Sequence, residues 1–419
     1  MPAKEEYIAA IDIGTTKVST FIGLIKKNNV LEIKGFGTSE CKGMKKGLVV
    51  DINEATKSIL NSIGIAEKAT NLFIDNAYIG VTGKHISYTN NWTEISINSP
   101  GKIVRKSDVD KLISIANRVN QPIDNTIIHT LIKQFSVDDE KDIMDPIGLS
   151  TDKLAVELLV IYGASSLIKN VINCVKGANI EIEDIILEAL ASSEAVLTPE
   201  EKESGAIMLD IGGGTTDVAV YKNKKMVFTY CLPVGGDLIT NDISIGLNIP
   251  FAQAEEIKKK FSNVDYNFYE TLNRINMGDI KLDRNKTTLN IRLYSIVNAR
   301  VKEMLTLIKE KMEAYGFNHS IPCGVILTGG TAQLKGIAGL ASSIFDMPVR
   351  IGTPIDVEGL SEAISNPMYS TAIGLLKYAY QIRNFMDLGQ IDDKRQRSKG
   401  IIAKFREFIS RMLKNEKID

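Results

Sequence analysis

Gly205-Ala206-Ile207-Met208-Leu209-Asp210-Ile211-Gly212-Gly213-Gly214-Thr215-Thr216-Asp217 decides the reading of this chain. An apolar run ends in an acid, three glycines, two threonines and a second acid. Val218-Ala219-Val220-Tyr221 follows, then a polar Lys-Asn-Lys-Lys turn and Met226-Val227-Phe228-Thr229-Tyr230-Cys231-Leu232. The pattern predicts a strand, a glycine turn and two more strands in a hairpin. Glycines let such a turn approach a ligand and aim its N–H groups inward, and threonine hydroxyls add donors. Carboxylates beside it suit a magnesium ion held through its waters.

The same unit occurs near the start of the chain. Tyr7-Ile8-Ala9-Ala10-Ile11-Asp12-Ile13 is a buried-type strand that ends in Gly14-Thr15-Thr16-Lys17 and continues as a second hairpin. A repeat about two hundred residues apart implies two related lobes, each supplying one phosphate-gripping turn. Neither turn opens a helix, and no Gly-x-x-x-x-Gly-Lys-Ser/Thr motif is present, so the P-loop and dinucleotide-binding patterns do not apply. A third glycine stretch, Gly324-Val325-Ile326-Leu327-Thr328-Gly329-Gly330, reads as a strand whose Gly329-Gly330 end admits a base or a phosphate, or makes a plain structural turn. Leu232-Pro233-Val234-Gly235-Gly236-Asp237 is a strand end running into another glycine turn and a helix.

With 419 residues the chain exceeds a typical single core, and 44% hydrophobic content, 24% charged content and a net charge of −1 describe an ordinary globular protein. The charge balance argues against wholesale nucleic-acid binding. Cys41, Cys174, Cys231 and Cys323, and likewise His85, His129 and His319, are scattered without metal-ligand spacing. The N-terminus lacks an apolar signal region, and no apolar run is long enough to span a bilayer, so a cytoplasmic protein is expected.

Between the two glycine units the periodicity predicts a helix over 51–65 with Asp51 or Asn53 as cap, and a strand over 77–82. A small α+β insertion follows from about Lys84 to Tyr162. Its expected elements are strands at 95–97, 127–135 and 154–161, and a helix near 107–119 capped by Ser107 or Asp108. Helices are expected over 165–177 and 188–197, the latter with small residues suited either to a close crossing of two lobes or to ordinary packing. Further helices are expected over 251–261, 294–315 and 332–345. Residues 384–399 read as a polar linker. After Gly400, Ile401, Ile402, Phe405, Phe408, Ile409, Met412 and Leu413 fall on one helical face. From Lys394 to Lys417 there are nine basic residues and two acidic ones. Such a helix suits an anionic membrane interface, or docking on its own protein or a partner.

The three glycine motifs, in this order, resemble the two phosphate motifs and the adenosine motif of the actin/hexokinase/heat-shock-chaperone ATPase fold. Within it the chain resembles the FtsA family of bacterial cell-division proteins. Lys45–Asp51, Gln134–Asp138, Pro146–Ser150, Pro233–Asp237 and Asn366–Leu376 carry the likeness over nearly the whole length. The resemblance implies an α/β, actin-like (ribonuclease-H-like) two-lobed fold with an inserted α+β subdomain and a C-terminal amphipathic helix. It divides the chain into subdomain 1A (1–84, 163–199 and 355–383), the inserted 1C (85–162), 2A (200–239 and 323–354), 2B (240–322), a linker (384–399) and a membrane-targeting helix (400–415).

The resemblance also implies roles. Asp12 and Asp210 would hold the waters of Mg2+. Gly14, Thr15, Thr16 and Lys17 would grip the phosphates of ATP against Gly212, Gly213, Gly214 and Thr215, with Gly235, Gly236, Gly329 and Gly330 behind phosphates and adenosine. Glu255 and Lys258 match an acid/base pair contacting ribose and adenine, though their spacing equally suits a surface ion pair. Most relatives carry Gln-Pro where this chain has Glu188-Ala189. Glu188 would orient a water, or simply face a hydrated cleft, and the family implies weak or absent hydrolysis. Implied partners are the tail of the tubulin-like protein FtsZ on subdomain 2B, with Arg300 as a basic contact or an ordinary surface arginine. Further copies of the chain in a filament, an anionic membrane at the cytoplasmic face of the division site, and later division proteins on 1C complete the set. A small-molecule kinase and a pilus-assembly scaffold of the same fold are the alternatives; the first lacks a candidate catalytic aspartate, and the tail argues against the second.

Overall fold

The computed structural model describes residues 6–26, 30–98, 100–118, 122–138, 140–265, 286–317 and 321–387. The predicted amphipathic helix (400–415), with Ile401 to Leu413, and the linker at 388–399 lie outside the described residues.

Two sheets carry the architecture. In the first, Glu6–Ile13 lies between its antiparallel hairpin partner Lys17–Ile25 and the parallel strand Asn76–Val81; Leu31–Glu40 and Glu181–Leu187 extend the two sides. In the second, Ala206–Ile211 lies between its hairpin partner Thr216–Lys222 and parallel Val325–Thr328, extended by Lys225–Leu232 and Val349–Ile351. The two orders are the same, so the repeat seen in two short motifs extends to a whole five-strand plan. Both central strands are near-continuous apolar runs because each sheet is covered on both faces. Ile8, Ala10, Ile11, Ile207, Met208 and Leu209 are all essentially inaccessible.

Two helices cross between the sheets. Glu188–Val196 and Ser370–Asp387 approach so closely that a side chain on Gly374 would overlap the Ala191 carbonyl, at 1.8 Å. Ala191 and Ser192 are fully buried at that contact, with Ser192 Oγ and Thr371 Oγ1 hydrogen-bonded at 3.0 Å, so small residues of 188–196 serve a close helix crossing.

The insertion is a four-stranded antiparallel sheet in the order Ser87–Ser96, Lys153–Ala164, Asn125–Val137 and Glu140–Ile143. Helix Lys106–Ala116 buries Val109 and Leu112 with Leu154, Val156 and Leu158 of that sheet. Several expectations shift here. The strand expected at 95–97 runs from Ser87, its earlier residues concealed by the polar run Thr89-Asn90-Asn91 on a largely exposed edge. Ser107 and Asp108 are not caps: Arg105 holds that position, and Asp108, three residues on, accepts its N–H at 2.9 Å.

Elsewhere, Asp51 does cap its helix, accepting the Glu54 N–H at 3.0 Å, and the helix continues to Thr70. The helix expected from 294 begins at Lys286. The single helix expected over 332–345 is two pieces, a 3-10 turn at Gly330–Gln333 and a helix at Ile337–Phe345. Gly336 separates them in the left-handed region, φ 81°, where a helix cannot continue.

Candidate functional site

The two hairpin turns meet across a cleft of about 580 Å3. Each closes in the same way: Gly14 N–H donates to the Lys17 carbonyl at 3.0 Å, and Gly212 N–H donates to the Thr215 carbonyl at 2.9 Å. Among the described residues, the N–H groups of Thr15, Thr16, Gly213 and Gly214 donate to no backbone acceptor. Adjacent unspent donors in a turn form an anion-binding concavity. The turns also touch. A side chain on Gly213 would fall 2.3 Å from Thr16 Cγ2, and one on Gly214 would fall 2.5 Å from Thr15 Oγ1. Thr15 Oγ1 further accepts the Gly47 N–H at 3.2 Å.

Gly235 and Gly236 buttress the second turn from behind. Gly236 N–H donates to the Gly212 carbonyl at 2.9 Å, Asp237 N–H to the Gly213 carbonyl at 2.8 Å, and Thr331 Oγ1 to the Gly212 carbonyl at 2.9 Å. A side chain on Gly235 would strike the Gly213 carbonyl at 2.4 Å. Gly329, at φ 87°, leaves room for Asp210, whose Oδ1 a Cβ there would meet at 2.3 Å. Gly329 and Gly330 line the cleft with Thr331, Leu334 and Lys335.

Asp12 and Asp210 occupy equivalent places, each two residues before its turn glycine. Ser192 Oγ and Thr371 Oγ1 both donate to Asp210 Oδ2, at 2.5 and 2.9 Å, so the two crossing helices hold this carboxylate. Asp217 pairs with Asp210 across the hairpin and accepts the hydroxyl of Thr82 from the other lobe. Glu188 faces the same space and, among the described residues, has no hydrogen-bond partner. All four carboxyls are at most 7% exposed. Burial pushes each above its ordinary range, and neighbouring carboxylates add to the rise for Asp12, Glu188 and Asp217. Asp217 reaches about 7, and Glu188 stands well above its ordinary value, raised by burial and then by Asp12, Asp217 and Asp210.

Lys17 is the cation among them. Its Nζ lies 3.7 Å from Asp12 Oδ2 and donates to the Met368 carbonyl at 2.7 Å and to Ser19 Oγ at 3.0 Å, over the ring of Tyr369. It is thus tethered to the 367–369 segment within the cleft lining.

Glu255 and Lys258 do lie in the cleft wall, 2.7 Å apart, and both bind Thr240 Oγ1. Lys258 Nζ also reaches the Gly236 carbonyl at 3.1 Å, anchoring the pair beneath the second turn. Burial raises Glu255, but Lys258 and Thr240 outweigh it and hold the carboxyl below its usual value. Arg300 is far from this group in role. Its guanidinium forks onto Asp242, at 2.5 and 3.1 Å, and reaches Glu303 at 2.7 Å, so an acidic peptide there would compete with two resident carboxylates.

The sequence reading gave no site role to Thr82, Ser192, Thr371 or the buried His129, and read Asp217 only as one of the carboxylates beside its turn. Leu187, the residue before Glu188, donates its N–H to His129 Nε2 at 3.0 Å, which ties the insertion to the start of the crossing helix. Burial lowers this imidazole to about 4, so it stays neutral. Only the pairing of Asp210 with Asp217 was within reach of the sequence, from the hairpin register; the others come from remote segments.

The fold and cleft together define the class: a two-lobed, actin-like protein with an inserted subdomain. Among solved structures, the PilM-PilN type IV pilus biogenesis complex has a TM-score of 0.63 at 15% identity, covering 89% of this chain and 98% of that one. The ethanolamine utilization protein EutJ from Carboxydothermus hydrogenoformans gives 0.52 at 17%, covering 90% and 92%. A family model described as "Cell division protein FtsA" matches residues 207–374, and one described as "SHS2 domain inserted in FTSA" matches residues 83–162. A model for the type IV pilus assembly protein PilM also matches residues 135–272. Cell division protein FtsA of Pseudomonas aeruginosa is 36% identical over 378 residues, 89% of each chain, and that of Neisseria meningitidis serogroup B is 32% identical over 413 residues, 98% and 99% of the two. The chain belongs to the FtsA family of cell-division proteins.

Proposed function

We propose that this chain is an ATP-binding, actin-like division protein that polymerises and anchors the FtsZ ring to the cytoplasmic face of the cell membrane. The observation that carries the nucleotide part is the pair of turns with unspent N–H donors facing one cleft, above four buried carboxyls whose mutual repulsion favours an added cation. Among the described residues no three acidic, histidine or cysteine side chains are placed to bind a metal directly. Mg2+ would therefore be held through its waters by Asp12 and Asp210, where it neutralises phosphate charge. Gly14 to Lys17 and Gly212 to Thr215 would hold the phosphates from opposite lobes, and Glu255, Lys258, Gly329 and Gly330 the nucleoside.

Glu188 is the residue for placing a water. Burial and the neighbouring Asp12, Asp217 and Asp210 raise its carboxyl, and its part would be to position the water, which suits slow turnover or none. The partners we assign are the FtsZ tail near Arg300, neighbouring copies in a filament, and later division proteins on the inserted subdomain. No helix among the described residues is long and apolar enough to cross a membrane. Attachment is assigned to the apolar residues Ile401, Ile402, Phe405, Phe408, Ile409, Met412 and Leu413 of the basic C-terminal segment.

Calorimetric titration of magnesium ATP tests the cleft: Asp210→Ala should abolish binding, and retained affinity would refute the assignment. In liposome sedimentation, replacing Phe405 and Phe408 with glutamate should release the protein from anionic vesicles. Unchanged pelleting would defeat the membrane role.

A further inference from the structure

Phe73 is 95% exposed, more than any other large apolar side chain among the described residues. A phenylalanine ring left in water forgoes the gain of burial. The turn that carries it is nevertheless well built. Asn71 ends helix Ile52–Thr70 in the left-handed region, at φ 55°. Leu72 N–H then donates to Thr70 Oγ1 at 3.3 Å, and Ile74 N–H donates to Glu67 Oε1 at 2.8 Å. Ile74 packs against the buried core, and the Asp75 carbonyl accepts the Glu181 N–H at 2.8 Å. The backbone on both sides of Phe73 is therefore fixed, and the ring is held outward.

The C-terminal segment leaves from the same end of the first sheet. Helix Ser370–Asp387 starts at the cleft, where Thr371 donates to Asp210, and runs away from it. Near its other end the Arg383 guanidinium donates to Tyr78 Oη at 3.3 Å and lies 5.7 Å over the Tyr78 ring. Tyr78 is the third residue of strand Asn76–Val81, which the 71–75 turn feeds. Asp387 stands about one helical turn beyond Arg383, roughly 6 Å further from the cleft. From there residues 388–400 span at most about 45 Å when fully extended, so the apolar residues from Ile401 onward begin within that reach of this edge.

The surroundings of Phe73 decide what covers it. At 95% exposure the ring has no walls among the described residues, so it offers no groove to a docking helix. Such a ring gains from a medium that needs no matching shape, and the fluid interior of a bilayer is one. Exposed Lys68, Asp75 and Glu181 nearby give no net attraction to an anionic surface. That attraction comes from residues 394–417, with nine basic residues and two acidic ones.

We propose that Phe73 is a second membrane contact, on the body of the protein, which inserts its ring into the bilayer that the C-terminal segment binds. This rests on the membrane reading above. The tail supplies charge attraction, whereas Phe73 adds apolar burial and sets which end of the first lobe faces the lipid.

Flotation with vesicles of mixed phosphatidylcholine and phosphatidylglycerol, using the full chain and its Phe73→Ser and Phe73→Leu variants, tests the proposal. Phe73→Ser should weaken vesicle binding about tenfold, the worth of burying one phenylalanine side chain, and Phe73→Leu should keep most of it. Because the side chain is exposed, both free variants should melt at the parent's temperature. A Phe73→Trp chain that also carries Trp92→Phe, replacing the one native tryptophan, adds a spectroscopic readout. Its emission should shift to the blue on vesicles and be quenched by lipids brominated in the acyl chain. Unchanged flotation of Phe73→Ser, or emission unmoved on vesicles that float the chain, would overturn the proposal. Emission already blue without vesicles would assign the position to the chain's own tail or to a second copy, and would overturn it too. A parent chain that fails to float with the vesicles would instead overturn the membrane reading, and the proposal with it.

Discussion

The two lobes share one plan but contribute opposite things to their meeting point. The first turn, Gly14-Thr15-Thr16-Lys17, supplies side chains; the second, Gly212-Gly213-Gly214-Thr215, supplies space. Thr16 fills what would be the side chain of Gly213, and Thr15 that of Gly214. The same asymmetry appears one pleat back, where Asp12 faces Ser19 and Asp210 faces Asp217 across equivalent hairpins. The cleft is thus built from a repeated backbone with complementary side chains. A closely packed floor follows from that division.

Substitutions at the strand ends test this difference most severely. Gly329→Ala in the second lobe places a Cβ at φ 87°, 2.3 Å from Asp210 Oδ1 and 2.7 Å from the Ile211 carbonyl. It should cost about 3 kcal/mol or more in urea denaturation. Gly80→Ala, on the parallel strand of the first lobe, meets the movable Glu188 side chain at 2.9 Å. Its cost should stay near 1 kcal/mol, ~1–1.5 at most. Equal costs would remove the contrast.

A second test uses Asp217, which has no titrating counterpart at Ser19. Its folded pKa, about 7, lies above the unfolded value of 3.8. The stability it contributes is complete below the unfolded value and is lost as pH rises through the folded one. Asp217→Asn should therefore stabilise the protein above pH 7 by a few kcal/mol, shrinking toward nothing as pH falls to about 4. Stability curves against pH would show it, and a pH-independent difference would contradict the electrostatic account. Ser19→Ala should show no pH dependence.

The smallest effect concerns the interlocking turns. Gly213→Ala alone should destabilise by about 1–2 kcal/mol, and Thr16→Gly in the same chain should recover part of the loss, with a coupling near 1 kcal/mol, roughly 0.5–1.5, in a double-mutant cycle. Simple additivity would mean the turns do not fit one another as described.

Much of this was legible in the residues. Asp-Ile-Gly followed by paired threonines, twice, announced two lobes, because a glycine turn after an apolar strand has few structural solutions. Helix ends were less legible. The break at Gly336 lies in one left-handed residue, packed against 263–265, and the edge strand from Ser87 was hidden by its exposure. The Glu255–Lys258 pair had an ambiguous spacing, and its anchorage under the turn depends on Thr240 and Gly236 from another helix.

By itself, then, the sequence determined the repeat, the turn chemistry and the family, since each is written in consecutive residues whose local physics is strong. Only the tertiary structure decided which carboxyls share the cleft, that Ser192 and Thr371 hold Asp210, that Lys17 is tethered to Met368, and that Phe73 is held outward. Those facts join segments up to 351 residues apart, as in the Lys17–Met368 bond. Burial and mutual repulsion arise only once the chain has brought such groups together.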